Sequence, residues 1–270
     1  MTSPALREPA LNRPAWSPFT RYRHSLWLLT TRDLKVRYST SFLGYVWSIL
    51  DPLAMAAIYW FVFTQVFHRG VGHEPYIVFL LSGLLPWTWF TGSVSDATRA
   101  FTREAKLVRS TTIPRTIWVA RLVLSKGIEF LASIPVIAIF AIATGATLHW
   151  QVVYVIPAIL IQVVLTLGIG LLIAPLVVFF RDLERAVKLA LRFTFYASPI
   201  IYGLADLPDN ITTLGAFNPM SGIISLYRGA FFPQQLDLFA VLVSAGMSVA
   251  VFGIGVLVFR RTIRTVLKEI

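Results

Sequence analysis

Six stretches of this chain are each long enough, as helix, to cross a bilayer, and they leave little else about the fold free. A hydrocarbon core about 30 Å thick takes about 20 apolar residues of helix; residues 42–67, 76–94, 126–144, 152–180, 186–204 and 238–259 supply such runs. Charged residues make up 14% of the 270 and the mean hydropathy is +0.71. A water-soluble domain carries about 25% charged residues, so that class is excluded. Cysteine is absent, which removes thiol catalysis, iron–sulfur clusters and thiolate zinc sites. The predicted fold is an all-α integral membrane protein: a cytoplasmic segment over residues 1–41, one six-span domain over 42–259, and a tail over 260–270.

Charge placement orients the spans. Of the 24 lysines and arginines, all but four fall on one side. Arg7, Arg13, Arg21, Arg23, Arg32, Lys35 and Arg37 precede span one, and Arg99, Arg103, Lys106, Arg109 and Arg115 separate spans two and three. Arg181, Arg185, Lys188 and Arg192 follow span four; Arg260, Arg261, Arg264 and Lys268 end the chain. Loops on the other side hold Arg69 and Arg228, while Arg121 and Lys126 sit where the third helix meets the cytosol. By the positive-inside rule both termini are cytoplasmic, and the +11 net charge is a topology signal rather than a nucleic-acid surface. The first forty residues show no signal-peptide pattern. Ser17-Pro18 instead reads as an N-cap with proline in the first turn, followed by Phe19, Tyr22, Leu26 and Leu29 at helical spacing. With Arg21, His24, Ser25 and Arg32 opposite, this is an amphipathic helix on the cytoplasmic leaflet. A basic flank that only orients the chain explains the same charges.

Several residues need a reason. Asp51-Pro52 lies inside span one, where a charge and a missing amide are both costly, so it faces protein or water. The third helix, over residues 115–144, is about 45 Å long and protrudes into the cytosol. On it Lys126 and Glu129 are neighbours placed to pair, with a proton relay as the other reading. Between residues 96 and 114, Phe101, Ala105 and Val108 mark a short amphipathic helix, which is either a solvated linker or an element seated in a partner's groove. Residues 205–237 are cut by Pro208, Gly215, Pro219, Gly222, Gly229 and Pro233, and Asn218-Pro219 reads as a helix start. Two short re-entrant or interfacial helices result, placed to act as an outer gate; a loop resting on headgroups is the alternative.

Aromatic residues cluster as Tyr59, Trp60 and Phe63, as Trp87, Trp89 and Phe90, and as Phe193, Phe195, Tyr196 and Tyr202. Part of this is the interfacial belt, yet Trp87 to Phe90 falls mid-span. Aromatic faces stack on sugar rings, so a passage lined this way suits a carbohydrate better than an ion. Arg32, Lys35 and Arg37 are placed to meet a lipid diphosphate or anionic headgroup, besides signalling topology. None of the five lysines follows a glycine, so there is no phosphate loop of the Gly-Lys-[Ser/Thr] kind. His24, His68, His73 and His149 lack metal-ligand spacing, so no metal site is expected.

These residues carry a resemblance. Arg32-Asp33-Leu34-Lys35-Val36-Arg37-Tyr38, Leu43-Gly44-Tyr45-Val46-Trp47, Asp51-Pro52-Leu53, Gly83-Leu84-Leu85-Pro86-Trp87, Arg181-Asp182-Leu183, Ser198-Pro199-Ile200-Ile201-Tyr202, Asn218-Pro219-Met220 and Tyr227-Arg228 occur in order along nearly the whole chain. Together they resemble the membrane subunits of ABC type-2 exporters, specifically the polysaccharide and polyol-phosphate export permeases of O-antigen, teichoic acid or galactan type. A departure is Glu104-Ala105-Lys106-Leu107-Val108-Arg109, where family members often carry an asparagine before the leucine. The resemblance implies a homodimer in the bacterial plasma or inner membrane, bound by two copies of a separate ATP-hydrolysing subunit. ATP and Mg would sit on that partner, with no cofactor in this chain and no catalytic residue. The substrate would be a glycan on a polyprenyl-diphosphate carrier. It further implies that Phe101, Arg103, Glu104, Lys106, Val108 and Arg109 couple to the ATPase through a helix over residues 99–109, and that Asn218, Pro219, Met220, Tyr227 and Arg228 belong to the outer gate. Two other functions stay open: an ABC type-2 exporter of a small hydrophobic compound or lipid, in which Trp87→Ala or Trp89→Ala spares polymer export, and a membrane-embedded glycosyl or lipid transferase.

Overall fold

The computed structural model describes residues 18–39, 44–66 and 73–269. Ser17, the expected N-cap, lies outside these residues, as do Arg7, Arg13, His68, Arg69 and the outermost residues of the first predicted span. The described residues contain helices and turns but no strand.

The chain opens with α1 (Pro18–Tyr38). Of the predicted apolar stripe, Tyr22, Leu26 and Leu29 face inward and Phe19 does not. Leu29, Thr30 and Leu34 are buried and Tyr22 and Leu26 partly so, whereas Phe19, Trp27, Leu28 and Val36 are exposed. The cause is α5 (Ile117–Thr144), against which α1 packs. A neighbouring helix takes up the Leu26–Leu29 stripe, leaving Phe19, Trp27 and Leu28 for the surroundings.

One 3-10 turn (Gly44–Val46) leads into α2 (Trp47–Trp60), extended by a π-helical turn (Phe61–Val66). Asp51 is exposed on this chain while its neighbour Pro52 is buried. Next come α3 (Tyr76–Ala97), α4 (Ala105–Ser110) and the 28-residue α5, which ends at Gly145 in the left-handed region, φ 71°. Helix α5 is about 42 Å long at 1.5 Å per residue, and matches the overlong third helix expected. A hairpin and a 3-10 turn (Trp150–Tyr154) bring the chain back through α6 (Val155–Phe179).

Then come α7 (Leu183–Ala197), α8 (Asp209–Ala216), α9 (Pro219–Arg228) and α10 (Leu238–Glu269). Among the described residues, four helical segments are long and apolar enough to cross a membrane: Tyr76–Ala97, Ile117–Thr144, Trp150–Phe179 and Leu238–Glu269. The apolar Leu50–Val66 is shorter. The fifth predicted span, residues 186–204, is not one continuous helix. Its helix starts earlier, at Leu183, and stops at Ala197, because Ser198-Pro199 interrupts the ladder. At 15 residues it measures about 22 Å. The tail expected over 260–270 likewise has no boundary, since α10 runs unbroken to Glu269.

The main core lies between α3, α5, α6 and α9, with Phe79, Leu80, Leu81, Leu165, Met220, Ile223 and Ile224 almost wholly buried. A second core gathers Phe101, Val108, Trp118, Phe259 and Val266 near α4. Helices α6 and α10 touch through glycine: a Cβ on Gly255 would stand 2.2 Å from the Gly168 carbonyl oxygen, and one on Gly168 2.6 Å from the Phe252 backbone. Such contact lets two backbones approach as small residues do in membrane helix pairs.

Candidate functional site

At the end of the bundle where α4 lies, α1 is bolted to its neighbours by charge. Arg37 donates to Asp96 at 2.6 Å and to Glu129 at 3.2 Å, and Lys126 donates to the other oxygen of Glu129 at 2.7 Å. The predicted Lys126–Glu129 pair therefore exists as part of a four-member lattice. A second lattice joins Arg121 to Asp33, Arg121 to Glu104 at 3.6 Å, and Arg32 to Glu104 at 3.0 Å. Arg121 is 3% exposed and its guanidinium also lies over the Trp118 ring, 4.9 Å from the centroid. Burial pushes the Asp33 carboxyl above its ordinary range, opposed by Arg121. A third group links Arg99 to Glu184 at 2.9 Å through Nε, with Lys188 donating to Glu184 at 2.6 Å.

Between these groups is a cleft of about 570 Å³ whose wall includes Arg32, Arg37, Arg99, Arg103 and Arg121 against Asp33, Asp96 and Glu104. The arginines outnumber the carboxylates there, so the cleft is positive even though much of its charge is paired. Of the three cations singled out in the sequence, Arg32 and Arg37 are engaged with carboxylates of their own chain, and Lys35 is exposed. Hydropathy gave no sign of the Arg121–Asp33 link, because its partners are 88 residues apart. The available signal was an arginine inside an otherwise apolar helical run.

The predicted helix over residues 99–109 is shorter in the structure, with turns over 98–104 followed by the six residues of α4. Phe101 and Val108 are buried, and Phe101 meets Phe259 with ring centroids 6.1 Å apart. Burying both anchors the segment on α10, which limits the helix to what lies beyond the anchor. Arg103, Lys106 and Arg109 are left exposed while Glu104 faces Arg32 and Arg121.

The aromatic residues divide. Tyr59 of α2, Trp87 and Phe90 of α3, and Phe195 and Tyr196 of α7 form one continuous cluster. Its centroid separations are 6.0 Å for Tyr59–Phe195, 5.7 Å for Trp87–Phe195, 5.5 Å for Trp87–Phe90 and 5.1 Å for Phe195–Tyr196. Trp60, Phe193 and Tyr196 are exposed around it, and the Tyr202 hydroxyl donates to the Tyr196 carbonyl. Phe63 packs on Tyr76 instead. Trp89 points the other way: its indole N–H donates to the Val123 carbonyl at 3.0 Å and its ring stacks on Phe130 at 5.1 Å. It belongs to the α3–α5 core, over Gly127, whose missing side chain makes room for it.

At the opposite end, the predicted pair of short helices is present as α8 and α9. Asn218 caps α9, its Oδ1 accepting from the Met220 N–H at 3.0 Å, with Pro219 in the first turn. The same side chain donates to the Ser198 hydroxyl at 2.8 Å and the Ala197 carbonyl at 3.2 Å, tying the end of α7 to the start of α9. Helix α9 is buried from Met220 to Arg228. A Cβ on Gly222 would meet the Ala240 carbonyl oxygen at 2.2 Å, so α9 lies directly on α10.

Arg228, expected on the outer side in the second short helix, is 1% exposed. It donates to the carbonyls of Pro199 at 2.6 Å and Tyr202 at 2.9 Å and to that of Ile200, and its charge sits 3.6 Å above the Phe79 ring. The residues after the α7 break have no helical partners for their carbonyls, and the guanidinium supplies them. The break and the buried arginine are thus one feature. Among the described residues no cluster of three His, Asp or Glu side chains is placed to hold a metal ion.

Residues 24–232 match the family described as ABC-2 type transporter. An O-antigen export system permease protein RfbA of Klebsiella pneumoniae is 36% identical over 85% of this chain and 89% of its own length. RfbA of Myxococcus xanthus is 32% identical over 85% and 88%, and the polysialic acid transport protein KpsM of Escherichia coli 25% identical over 77% and 81%.

Proposed function

Because the chain belongs to the ABC-2 type transporter family, we propose that it is the membrane-embedded permease of an ATP-driven exporter whose cargo is a polysaccharide. The observation that carries this is its likeness to O-antigen export permeases over 85% of its length; the family match over residues 24–232 takes in most of α1, the aromatic cluster and the α8–α9 pair. The finer reading is a glycan carried on a polyprenyl diphosphate, moved outward across the inner membrane by two copies of this chain and two of an ATP-binding subunit. In that assembly α2 and α7, with the pieces that follow each, complete six crossings, and both termini are cytosolic. Exposed Asp51 of α2 then faces the second copy or the passage.

Each part of the site takes a role in this reading. Arg103, Lys106 and Arg109 form the docking face for the ATPase, while Phe101, Val108 and Glu104 hold that face on α10, Arg32 and Arg121. The positive cleft beside Arg32 and Arg37, together with exposed Lys35, receives the carrier diphosphate, since excess cationic charge at a leaflet attracts such a group. Trp60, Phe193 and Tyr196, backed by Tyr59, Trp87 and Phe195, offer flat apolar faces to sugar rings. Phe90 supports that wall through Trp87, while Trp89 serves the α3–α5 core. Weak stacking at many points suits a moving polymer better than one tight site, and Asn218, Pro219, Met220, Tyr227 and Arg228 order the outer gate.

Export by reconstituted vesicles containing this chain and its ATPase tests the proposal. Trp60→Ala with Phe193→Ala lowers polymer export while leaving assembly with the ATPase intact. Undiminished polymer export would favour the small-compound exporter, and glycosyl transfer by the chain alone would favour the transferase.

A further inference from the structure

An apolar groove of about 370 Å³ lies between α3, α5, α6 and α9, sharing no lining residue with the charged cleft. Leu85, Phe130, Ala138, Ala141, Val155 and Tyr227 line it. At positions 138 and 141 of α5 only methyl groups fill the wall, so the groove is deep where larger side chains would close it. A space of this size and lining is not a water site: engineered apolar cavities of about 150 Å³ stay dry and take apolar guests.

The position of the groove says what surrounds its mouth. Its rim carries Ile134, Ile142, Leu148 and Val152, all exposed and all apolar, on or beside two helices of span length. In a membrane these side chains stand among lipid tails, so hydrocarbon is the matter at the opening.

Two hydroxyl side chains belong to the otherwise apolar wall, and that of Ser82 is satisfied, donating to the Phe79 carbonyl at 2.7 Å. Tyr227 is 5% exposed, and its hydroxyl is buried without a hydrogen-bond partner among the described residues. Its ring is fixed edge-on against Phe130, centroids 5.5 Å apart. An orphaned buried hydroxyl costs free energy unless something supplies an acceptor. A pure alkane chain cannot do that, whereas a chain ending in an ester carbonyl can.

We propose that this groove is a binding site for one acyl chain of an ester-linked glycerolipid, its carbonyl oxygen accepting from Tyr227. The lipid is a resident of the bilayer half in which α9 lies, seated behind that helix, and not the transported cargo. This inference needs the chain to be in a membrane and does not rest on the cargo being a polysaccharide.

The test is native mass spectrometry of the purified full chain, delipidated and offered equal amounts of a diester and a diether phospholipid of the same chain length. An ether oxygen is the weaker acceptor. Wild type retains the diester about fivefold over the diether, the equilibrium equivalent of one neutral hydrogen bond. Tyr227→Phe keeps the ring on Phe130 and levels the two lipids. Ala141→Phe fills the groove and reduces retention of both; Ala138→Leu, at an exposed position on the same wall, does so with less strain on the fold. Equal retention of the two lipids by wild type, an unchanged preference in Tyr227→Phe, or undiminished binding in both groove-filling variants overturns the proposal. So does displacement of the diester by polyprenyl phosphate at equal concentration, which would assign the groove to the carrier chain.

Discussion

Arg228→Met removes a guanidinium that serves the carbonyls of Pro199, Ile200 and Tyr202 and keeps an unbranched apolar stem in its place. Each carbonyl left buried without a donor costs about 1 kcal/mol or more, so three cost about 3 kcal/mol. Loss of the cation over Phe79 adds about 1–2 kcal/mol. Against this, the variant no longer keeps a cation out of water, an offset of a few kcal/mol. The net expectation is a loss of about 2 kcal/mol, and because three of the four bonds end on residues 198–203, the fourth being a longer one from Nε to the Phe79 carbonyl at 3.4 Å, the loss centres on that segment. Hydrogen exchange followed by mass spectrometry reads it directly: amides of residues 198–208 exchange about thirtyfold faster, since about 1.4 kcal/mol is a factor of ten, while those of α6 stay as in wild type. Arg228→Lys restores little of the protection, because one ammonium cannot span three separated carbonyls as a guanidinium fork does. Unchanged exchange over residues 198–208 in Arg228→Met would refute the reasoning, and full rescue by lysine would show that charge rather than the fork matters.

Other expectations follow from the same geometry. Gly255→Ala drives a methyl into the Gly168 carbonyl and lowers the thermal midpoint of the purified protein, an overpacking cost of about 1–3 kcal/mol. Gly253→Ala, with nothing within 4 Å of its Cβ, leaves the midpoint unchanged. The Glu184 carboxyl is held down at about 2, below its usual 4.5, by hydrogen bonds from Arg99 and Lys188. A depressed acid contributes its support above the unfolded value and loses it as the pH falls through the folded one, so the contribution of Glu184 fades between pH 4.5 and about 2. Isotope-edited infrared spectra show its carboxylate band surviving at pH 4 in wild type and titrating near 4.5 in Arg99→Ala with Lys188→Ala. Charge reversal at Arg103 and Arg109 lowers the ATPase activity of the reconstituted complex severalfold without reducing membrane insertion; unaltered activity would count against their docking role.

Much of this architecture is legible in hydropathy and capping signals. The four span-length helices, the long α5, the Asn218 cap and the i, i+3 pair Lys126–Glu129 are all local, and local patterns are what a sequence displays. Where the expectations departed, a contact between distant segments decided. Pro52, Pro86, Pro135 and Pro175 sit inside helices, so Ser198-Pro199 alone does not announce a stop in an apolar run; at Pro199 the helix ends where the distant Arg228 takes up the freed carbonyls. Arg228 is legible as a residue of the second short outer helix, but its burial is not, because that depends on carbonyls freed by the same break. Leu26 and Leu29 do form an apolar stripe, but periodicity names a face without naming what covers it, and α5 covers this one. Trp87 and Trp89 are two residues apart on α3 and so point to different sides, one to the aromatic cluster and the other to the core.

The glycine contacts of α6 with α10 and of α9 with α10 have a mechanical consequence. Where backbone rests on backbone there are no side chains to re-pack, and helices seated this way neither slide nor roll past one another without parting. Three helices from the second half of the chain therefore travel as one stave. In the proposed exporter, any widening of a passage comes from elements outside these three helices, which serve as its fixed post.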